Sequence, residues 1–316
     1  MNPTLAMLLT ALPAAAADIN EFIDFSVKNL PGRLYVPPEA SEPDATLPLV
    51  LHLHGGGLRG RDNKKQLMGG IDSLFAAAKA QGAFFYAPQT RGIWQDKHET
   101  ALAMQQIDLA IRTYNIDPER VYATGFSMGG GGVWNMLNRY PDRFAAGLAV
   151  AGISPARDFK ASNVLGLPMW VIHARDDDVV SEKHSRQVIK QILRAARKRA
   201  PKFPRHKDKK VFEYVNDQLD LRYSEWPKGG HVIWPGVYAD PQIADWLFAQ
   251  SLADPEPKAA PVSSNKKKVA ASDDAGEANS IPQRYENDAT LRTVVLWFTS
   301  KIVNLDMKLS VLQERR

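Results

Sequence analysis

The chain has 316 residues, 44% of them hydrophobic and 24% charged, enough apolar material for one large domain with a full core. It contains no cysteine, which excludes disulfides, thiolate metal sites and a cysteine nucleophile. The formal charge of +5 is concentrated in one place. Residues 194–210 hold nine Lys or Arg (194, 197, 198, 199, 202, 205, 207, 209 and 210) against the single Asp208, so the rest of the chain is slightly acidic. Only Phe203 interrupts that run with an aromatic ring, so it reads as a solvated surface loop and not as a nucleic-acid site.

In chain order, the apolar run Leu5–Leu12 leads through Pro13 to Ala14–Ala17. That pattern predicts a signal peptide over 1–17, and with it a secreted or periplasmic protein. No apolar run reaches the roughly 20 residues of a membrane span. Residues 22–36 are expected to supply edge strands. From Leu47 to Leu252, short apolar runs alternate with amphipathic stretches, which predicts an α/β chain with a mostly parallel central sheet flanked by helices. Strands are expected at 47–53, 83–87, 120–124, 146–151, 169–173 and 221–226. Helices are expected at 65–79, 99–114, 128–139, 182–199 and 241–252. The domain is bounded at 18–253. Residues 254–289 have the Pro, Ala, Ser, Lys and Asp composition of a disordered linker. Over 290–316, Leu291, Val295, Phe298, Ile302, Leu305, Leu309 and Leu312 recur at steps of four and three. They predict an amphipathic helix that either packs back on the domain or mediates self-association.

The chemistry is carried by Gly125-Phe126-Ser127-Met128-Gly129, between a predicted strand and a predicted helix. A nucleophilic serine needs that context: a tight strand-to-helix turn that exposes its hydroxyl, with glycines that allow close backbone approach. The helix beginning at Met128 would aim its free N–H groups at a developing oxyanion. The serine needs a base, and the base an orienting acid. Of the downstream histidines, His231 alone follows the last strand, in a loop opened by Gly229-Gly230. The acid belongs after the penultimate strand, where Asp176, Asp177 and Asp178 stand together, and spacing alone does not choose among them. His54-Gly55-Gly56-Gly57, ending an early strand, offers a second oxyanion donor at Gly56 or Gly57 beside that of Met128. Trp94 and Trp234 lie next to these loops and are expected to line a substrate pocket, whereas Trp134 is expected in the core. His52 and His54 share a strand face, but with no third ligand placed nearby no metal site is expected, and no cofactor.

These residues together resemble the bacterial esterases related to polyhydroxybutyrate depolymerases, feruloyl esterases and a peptidase-named group of α/β hydrolases. The resemblance covers roughly 22–252. It rests on His54–Asn63, Tyr114–Tyr122, the elbow Gly125–Gly130, Tyr140–Ala146 and His173–Val180. It implies the α/β-hydrolase fold and a carboxylic ester hydrolase working through Ser127, His231 and an acyl-enzyme on a small-molecule or polymer ester. Aligned to the group's H-G-x-x-D-x-x-V loop, it implies Asp177 as the acid, with Ala174 in place of the glycine. Leu58 stands where the group usually carries Glu. Two other readings remain: a serine peptidase on the same triad, and a non-catalytic binding protein that keeps the fold.

Overall fold

The computed structural model describes residues 17–253. The expected signal segment, except Ala17, and the expected linker and C-terminal helix lie outside the described residues. Contacts divide the chain into units 1–262 and 263–316, and only the first contains described residues.

The strands in chain order are β1 (Phe22–Asp24), β2 (Gly32–Tyr35), β3 (Leu47–Leu53), β4 (Phe84–Pro88), β5 (Ile116–Phe126), β6 (Ala146–Val150), β7 (Met169–Ala174), β8 (Phe212–Asn216) and β9 (Leu221–Trp226). The helices are α1 (Asp72–Ala80), α2 (Lys97–Thr113), α3 (Met128–Arg139), α4 (Lys183–Ala195), α5 (Trp234–Tyr238) and α6 (Pro241–Phe248). All nine strands join one sheet in the order β1-β2-β4-β3-β5-β6-β7-β9-β8. The pairings from β4 through β9 are parallel, while β1, β2 and β8 are antiparallel at the two edges. The mostly parallel sheet flanked by helices expected from the sequence is therefore what forms.

A parallel strand buried on both faces should be apolar throughout, with successive side chains facing opposite layers. β3 shows this directly. Leu49, Leu51 and Leu53 enter a core layer with Leu102 and Ile107 of α2, Val133 and Leu137 of α3, and Val188 and Ile192 of α4. Val50 faces the other layer, with Leu74 and Phe75 of α1, Val237 of α5, and Ile243 and Leu247 of α6. Each such fully buried aliphatic side chain contributes about 1.5–3 kcal/mol. The strands β3, β5, β6, β7 and β9 all point one way, so the loops that follow them gather at a single sheet edge.

The structure departs from the expected elements where local chemistry intervenes. The helix expected at 65–79 splits into a 3-10 turn, Lys65–Leu67, and α1, because Gly69-Gly70 intervenes and Gly70 has φ +72°. β5 extends four residues further back than expected and α4 stops at Ala195, with Arg197 at φ +56° just beyond it. β8 and the short α5 were not anticipated. The β8 sequence FEYVN alternates only between half-buried and exposed positions at the sheet edge, a weak signal. Asp96 caps α2 by accepting from the His98 N–H, and Asp240 caps α6 by accepting from the Gln242 N–H, as their residue types favour.

The turn from β5 into α3 crosses β3 so closely that a Cβ on Gly129 would lie 1.8 Å from the Leu53 carbonyl oxygen. A Cβ on Gly57 would meet nothing within 4 Å. Gly129→Ala is therefore expected to destabilise the protein by about 1–3 kcal/mol. Gly57→Ala should stay within about 0.5 kcal/mol of the parent. Urea denaturation of the two variants checks this, and equal midpoints would contradict it.

Candidate active site

Ser127 occupies the turn between β5 and α3 with φ 55° and ψ −119°, a region that costs an L-residue about 1–3 kcal/mol. The surroundings hold it there. Its N–H donates to the Val150 carbonyl (2.9 Å), and its own carbonyl accepts from Gly131 (3.1 Å) and Ile153 (3.2 Å). Gly125 is required because a Cβ there would lie 2.6 Å from the Gly129 carbonyl oxygen. The strain is thus carried by the sheet and the helix, and the side chain is left half-exposed at the sheet edge.

His231 comes from the loop after β9. Its Nε2 stands 2.9 Å from Ser127 Oγ and its Nδ1 2.8 Å from Asp177 Oδ2. A carboxylate only accepts, so Nδ1 carries the proton and Nε2 is free to accept the serine hydroxyl proton. Asp177 lies in the loop after β7 with its side chain fully buried. Its Oδ1 accepts from the N–H groups of Val179 (2.9 Å) and Val180 (2.8 Å). Its Oδ2 accepts from His231 and, at 3.2 Å, from His173 Nε2. Burial by itself would raise the carboxyl pKa. The hydrogen bonds from His173, His231, Val180 and Val179 outweigh burial and hold it well below the usual carboxylate range.

The neighbouring aspartates have other positions. Asp178 is exposed. Asp176 Oδ1 accepts from the Gly230 N–H at 2.8 Å, which ties the acid loop to the loop that carries His231. Gly229 and Gly230 have φ +149° and +63°, so this loop takes a path that side-chain-bearing residues resist. Sequence reasoning missed this clamp, and nothing in three consecutive aspartates signals it. It also missed His173 as a second donor to the acid. His173 Nδ1 accepts from Ser185 Oγ (2.8 Å), and its Nε2–H is shared between the Val180 carbonyl (2.8 Å) and Asp177. The four-residue separation of His173 and Asp177 was the available signal.

Beneath the acid loop lies a charged cluster that the sequence did not announce. Arg175 and Glu225 are fully buried and paired at 2.7 Å. Glu225 also accepts from Arg186 (2.5 and 2.7 Å) and from the Tyr223 hydroxyl (2.6 Å). Burial would push Glu225 toward its neutral form, but Arg186, Tyr223 and Arg175 hold it below the usual carboxylate range. Removing one member would strand a buried charge, a loss of about 3–5 kcal/mol.

On the other side of Ser127, residues Gly56–Leu58 form a 3-10 turn after β3. A Cβ on Gly56 would lie 4.0 Å from the Met128 side chain, so the Gly56 backbone adjoins the first turn of α3. Met128 is the first residue of that helix, and its N–H has no intrahelical acceptor. Leu58 packs into the apolar cluster around Phe126. His54 braces the turn: Nδ1–H donates to the Gly55 carbonyl (2.8 Å) and Nε2 accepts from the Thr90 N–H (3.1 Å). Burial lowers the His54 pKa to about 4, so it stays neutral. His52 faces the opposite layer, against Phe85 and Tyr238, and donates from Nδ1 to Thr124 Oγ1 (3.1 Å). The two histidines therefore do not converge on a common ligand position.

Trp94 is a correction. It is 0% exposed, lies under Gly132, and its Nε1–H donates to the His54 carbonyl at 3.1 Å. It supports the turn from below and lines no pocket. Trp134 is buried in the core as expected. Trp234 is at the site: it stacks on Phe126 with centroids 4.0 Å apart and stands nearly perpendicular to the His231 ring, with centroids 5.6 Å apart. Its Nε1–H donates to the Gly69 carbonyl, a contact made available by the break before α1.

Residues 28–222 match the protein-family model described as "Putative esterase". An 87-residue stretch is 32% identical to the bifunctional acetylxylan esterase/xylanase XynS20E of Neocallimastix patriciarum, covering 28% of this chain and 13% of that protein. A thermostable esterase of known structure is 29% identical with a TM-score of 0.61, covering 74% of this chain and 64% of that one. The acetyl xylan esterase from Aspergillus awamori superposes with a TM-score of 0.55 at 14% identity, over 71% of this chain and 98% of that one, a likeness of fold alone. This chain thus spans less than two thirds of both the curated relative and the thermostable esterase. The nine-stranded sheet with its flanking helices is the α/β-hydrolase fold, and the family match extends over more than half of the sequence. The chain belongs to the esterase family of α/β hydrolases.

Proposed function

We propose that this protein is a serine hydrolase that cleaves carboxylic esters through an acyl-enzyme on Ser127. The observation that carries the reading is the continuous hydrogen-bonded line from Ser127 Oγ through His231 to the buried, charged Asp177. As the serine oxygen attacks the ester carbonyl, His231 Nε2 takes its proton, and Asp177 stabilises the imidazolium through Nδ1–H. The tetrahedral oxyanion is received by the Met128 N–H and by the N–H of Gly56 or Gly57. A donor of this kind is worth about 3–4 kcal/mol in the barrier. The imidazolium then returns its proton to the departing alcohol. In the second half, His231 activates a water that attacks the acyl carbonyl, and the serine leaves with the proton. Trp234, beside His231, supplies an apolar wall for the substrate. The identity shared with a thermostable esterase favours esters over amides.

Ser127→Ala is expected to abolish turnover of an aryl acetate with no loss of folding stability, because the hydroxyl is half-exposed and its loss strands no buried partner. A fluorophosphonate should label the parent at Ser127, read by peptide mass spectrometry. Labelling at any other residue would overturn the assignment.

The three aspartates separate by role. Asp177→Asn should lower turnover on the order of 10⁴-fold, since the acid would no longer fix the histidine tautomer. Asp178→Asn should be silent. Asp176→Asn retains an oxygen that can accept from Gly230 and should stay within about tenfold, roughly 1.4 kcal/mol. Asp176→Ala loses the clamp and should fall well below Asp176→Asn. Steady-state kinetics on one good ester decides this, and a large loss at Asp178 would contradict it.

A further inference from the structure

The basic segment 194–210 has no part in the chemistry above, yet the topology brings it to the active-site edge. β9 pairs with β7 so that Trp226 lies opposite Ala174, and the two strands end together at that edge. β8 pairs antiparallel to β9 with Phe212 opposite Glu225, so the chain enters β8 at the same edge. Arg175, two residues before Asp177, donates to the Asp208 carbonyl and, at 3.1 Å, to the Lys210 carbonyl. The buried Arg175 thereby fixes residues 208–210 beside the acid loop.

The other end of the segment is remote. α4 runs back from the acid loop for 13 residues, about 20 Å, so Arg194 and the basic residues after it start at the opposite edge. The chain then climbs along α4, where the Pro204 carbonyl accepts from Arg186 (2.9 Å) and Arg186 and Lys190 lie over the Phe203 ring. All nine basic side chains of the segment are exposed. Asp208, its one carboxylate, turns to the N–H of Arg205 within the same loop (2.8 Å). The result is a positive stripe that runs the height of the sheet and ends at the catalytic loops.

Beside the stripe, along the other flank of α4, lies a hollow of ≈ 180 Å³ lined by Ser154, Arg157, Phe159 and Gln191. It adjoins a second hollow of ≈ 430 Å³ that shares Phe159 and Gln191 and reaches Arg194. The upper end is close to the nucleophile, since Ile153, next to Ser154, donates to the Ser127 carbonyl. Groove and stripe therefore meet at Arg194, and at the other edge the stripe ends beside the acid loop and the groove at Ser154.

We propose that this face binds an acidic, carboxylate-bearing polysaccharide and presents the esters on its hydroxyl groups to Ser127. The proposal rests on the ester-hydrolase reading for the reaction, though not for the binding. A spread of exposed point charges suits a flexible chain of carboxylates, to which it offers attraction without fixed register. Single-stranded nucleic acid would want exposed rings for base stacking. Of the segment's rings, Phe203 is half-buried against Phe212 and Tyr223, which leaves the single imidazole of His206 exposed, too little for a run of stacked bases.

The test uses the full chain. Binding of polygalacturonate to the Ser127→Ala protein is measured by calorimetry at low salt and at about 1 M salt, where charges are screened beyond about 3 Å. kcat/KM is measured for the parent on acetylated polygalacturonate, acetylated neutral xylan and an aryl acetate. The same assays are run on an Arg194→Glu/Lys202→Glu/Lys207→Glu/Lys209→Glu variant and on Lys207→Glu alone. Polygalacturonate should bind at low salt and be released at high salt. The acidic polymer should be preferred over the neutral one by about tenfold. The quadruple variant should lose both binding and preference while keeping its aryl acetate rate, and Lys207→Glu should lose part of each. Failure of the Ser127→Ala protein to bind polygalacturonate, salt-independent binding, equal use of the two polymers by the parent, or displacement of polygalacturonate by duplex DNA would overturn the proposal. If no ester of any kind is hydrolysed, the functional reading fails instead, and the calorimetry still decides the surface.

Discussion

The Asp177 carboxylate is the point on which the site depends. Four donors converge on its two oxygens: the Val179 and Val180 N–H groups on Oδ1, and His173 and His231 on Oδ2. A buried carboxylate without partners would take up a proton. With these partners it remains charged, and each oxygen has a fixed assignment. The backbone pair sets the rotamer, His173 shares the load on Oδ2, and the remaining direction points at His231 Nδ1. His231 therefore inherits its tautomer and orientation from the loop that follows the neighbouring strand β7.

That loop is stiffened from below. Arg175 precedes the aspartates and is locked into Glu225, which is itself held by Arg186 and Tyr223. Asp176 reaches across to Gly230 and couples the acid loop to the histidine loop. On the serine side, the strained backbone of Ser127 is held by β6 and α3, with no room for side chains at Gly125 and Gly129. Both halves of the site thus rest on rigid elements at one edge of the sheet, as a catalytic constellation requires.

The fold was largely legible because buried parallel strands and amphipathic helices leave long, strong patterns. The elbow at Ser127 was legible for a related reason: strand, tight turn and helix must follow one another there, and the glycines are forced by contact with β3. What was not legible depends on tertiary context. The choice of Asp177 among three aspartates needed the resemblance, since only the fold shows which carboxylate is buried. Trp94 looked like a pocket residue because it is near the motif loops in sequence, whereas it lies beneath them. The break before α1 turned on a single left-handed glycine. The strand β8 was hidden because an edge strand half-open to solvent carries little hydrophobic contrast. The charged cluster around Glu225 is invisible in sequence, since Arg175, Arg186, Tyr223 and Glu225 are brought together only by the pairing of β7, β9 and α4.

In the proposed reaction Ser127, His231 and Asp177 act as one unit. Residues that act as a unit are non-additive: once the nucleophile is gone, losing the orienting acid costs little more. The direct measurement is kcat on an activated ester for Ser127→Ala and for Ser127→Ala/Asp177→Asn, alongside Asp177→Asn alone. The double variant should retain the residual rate of Ser127→Ala. A double variant slower than Ser127→Ala by the full factor that Asp177→Asn costs the parent would contradict it.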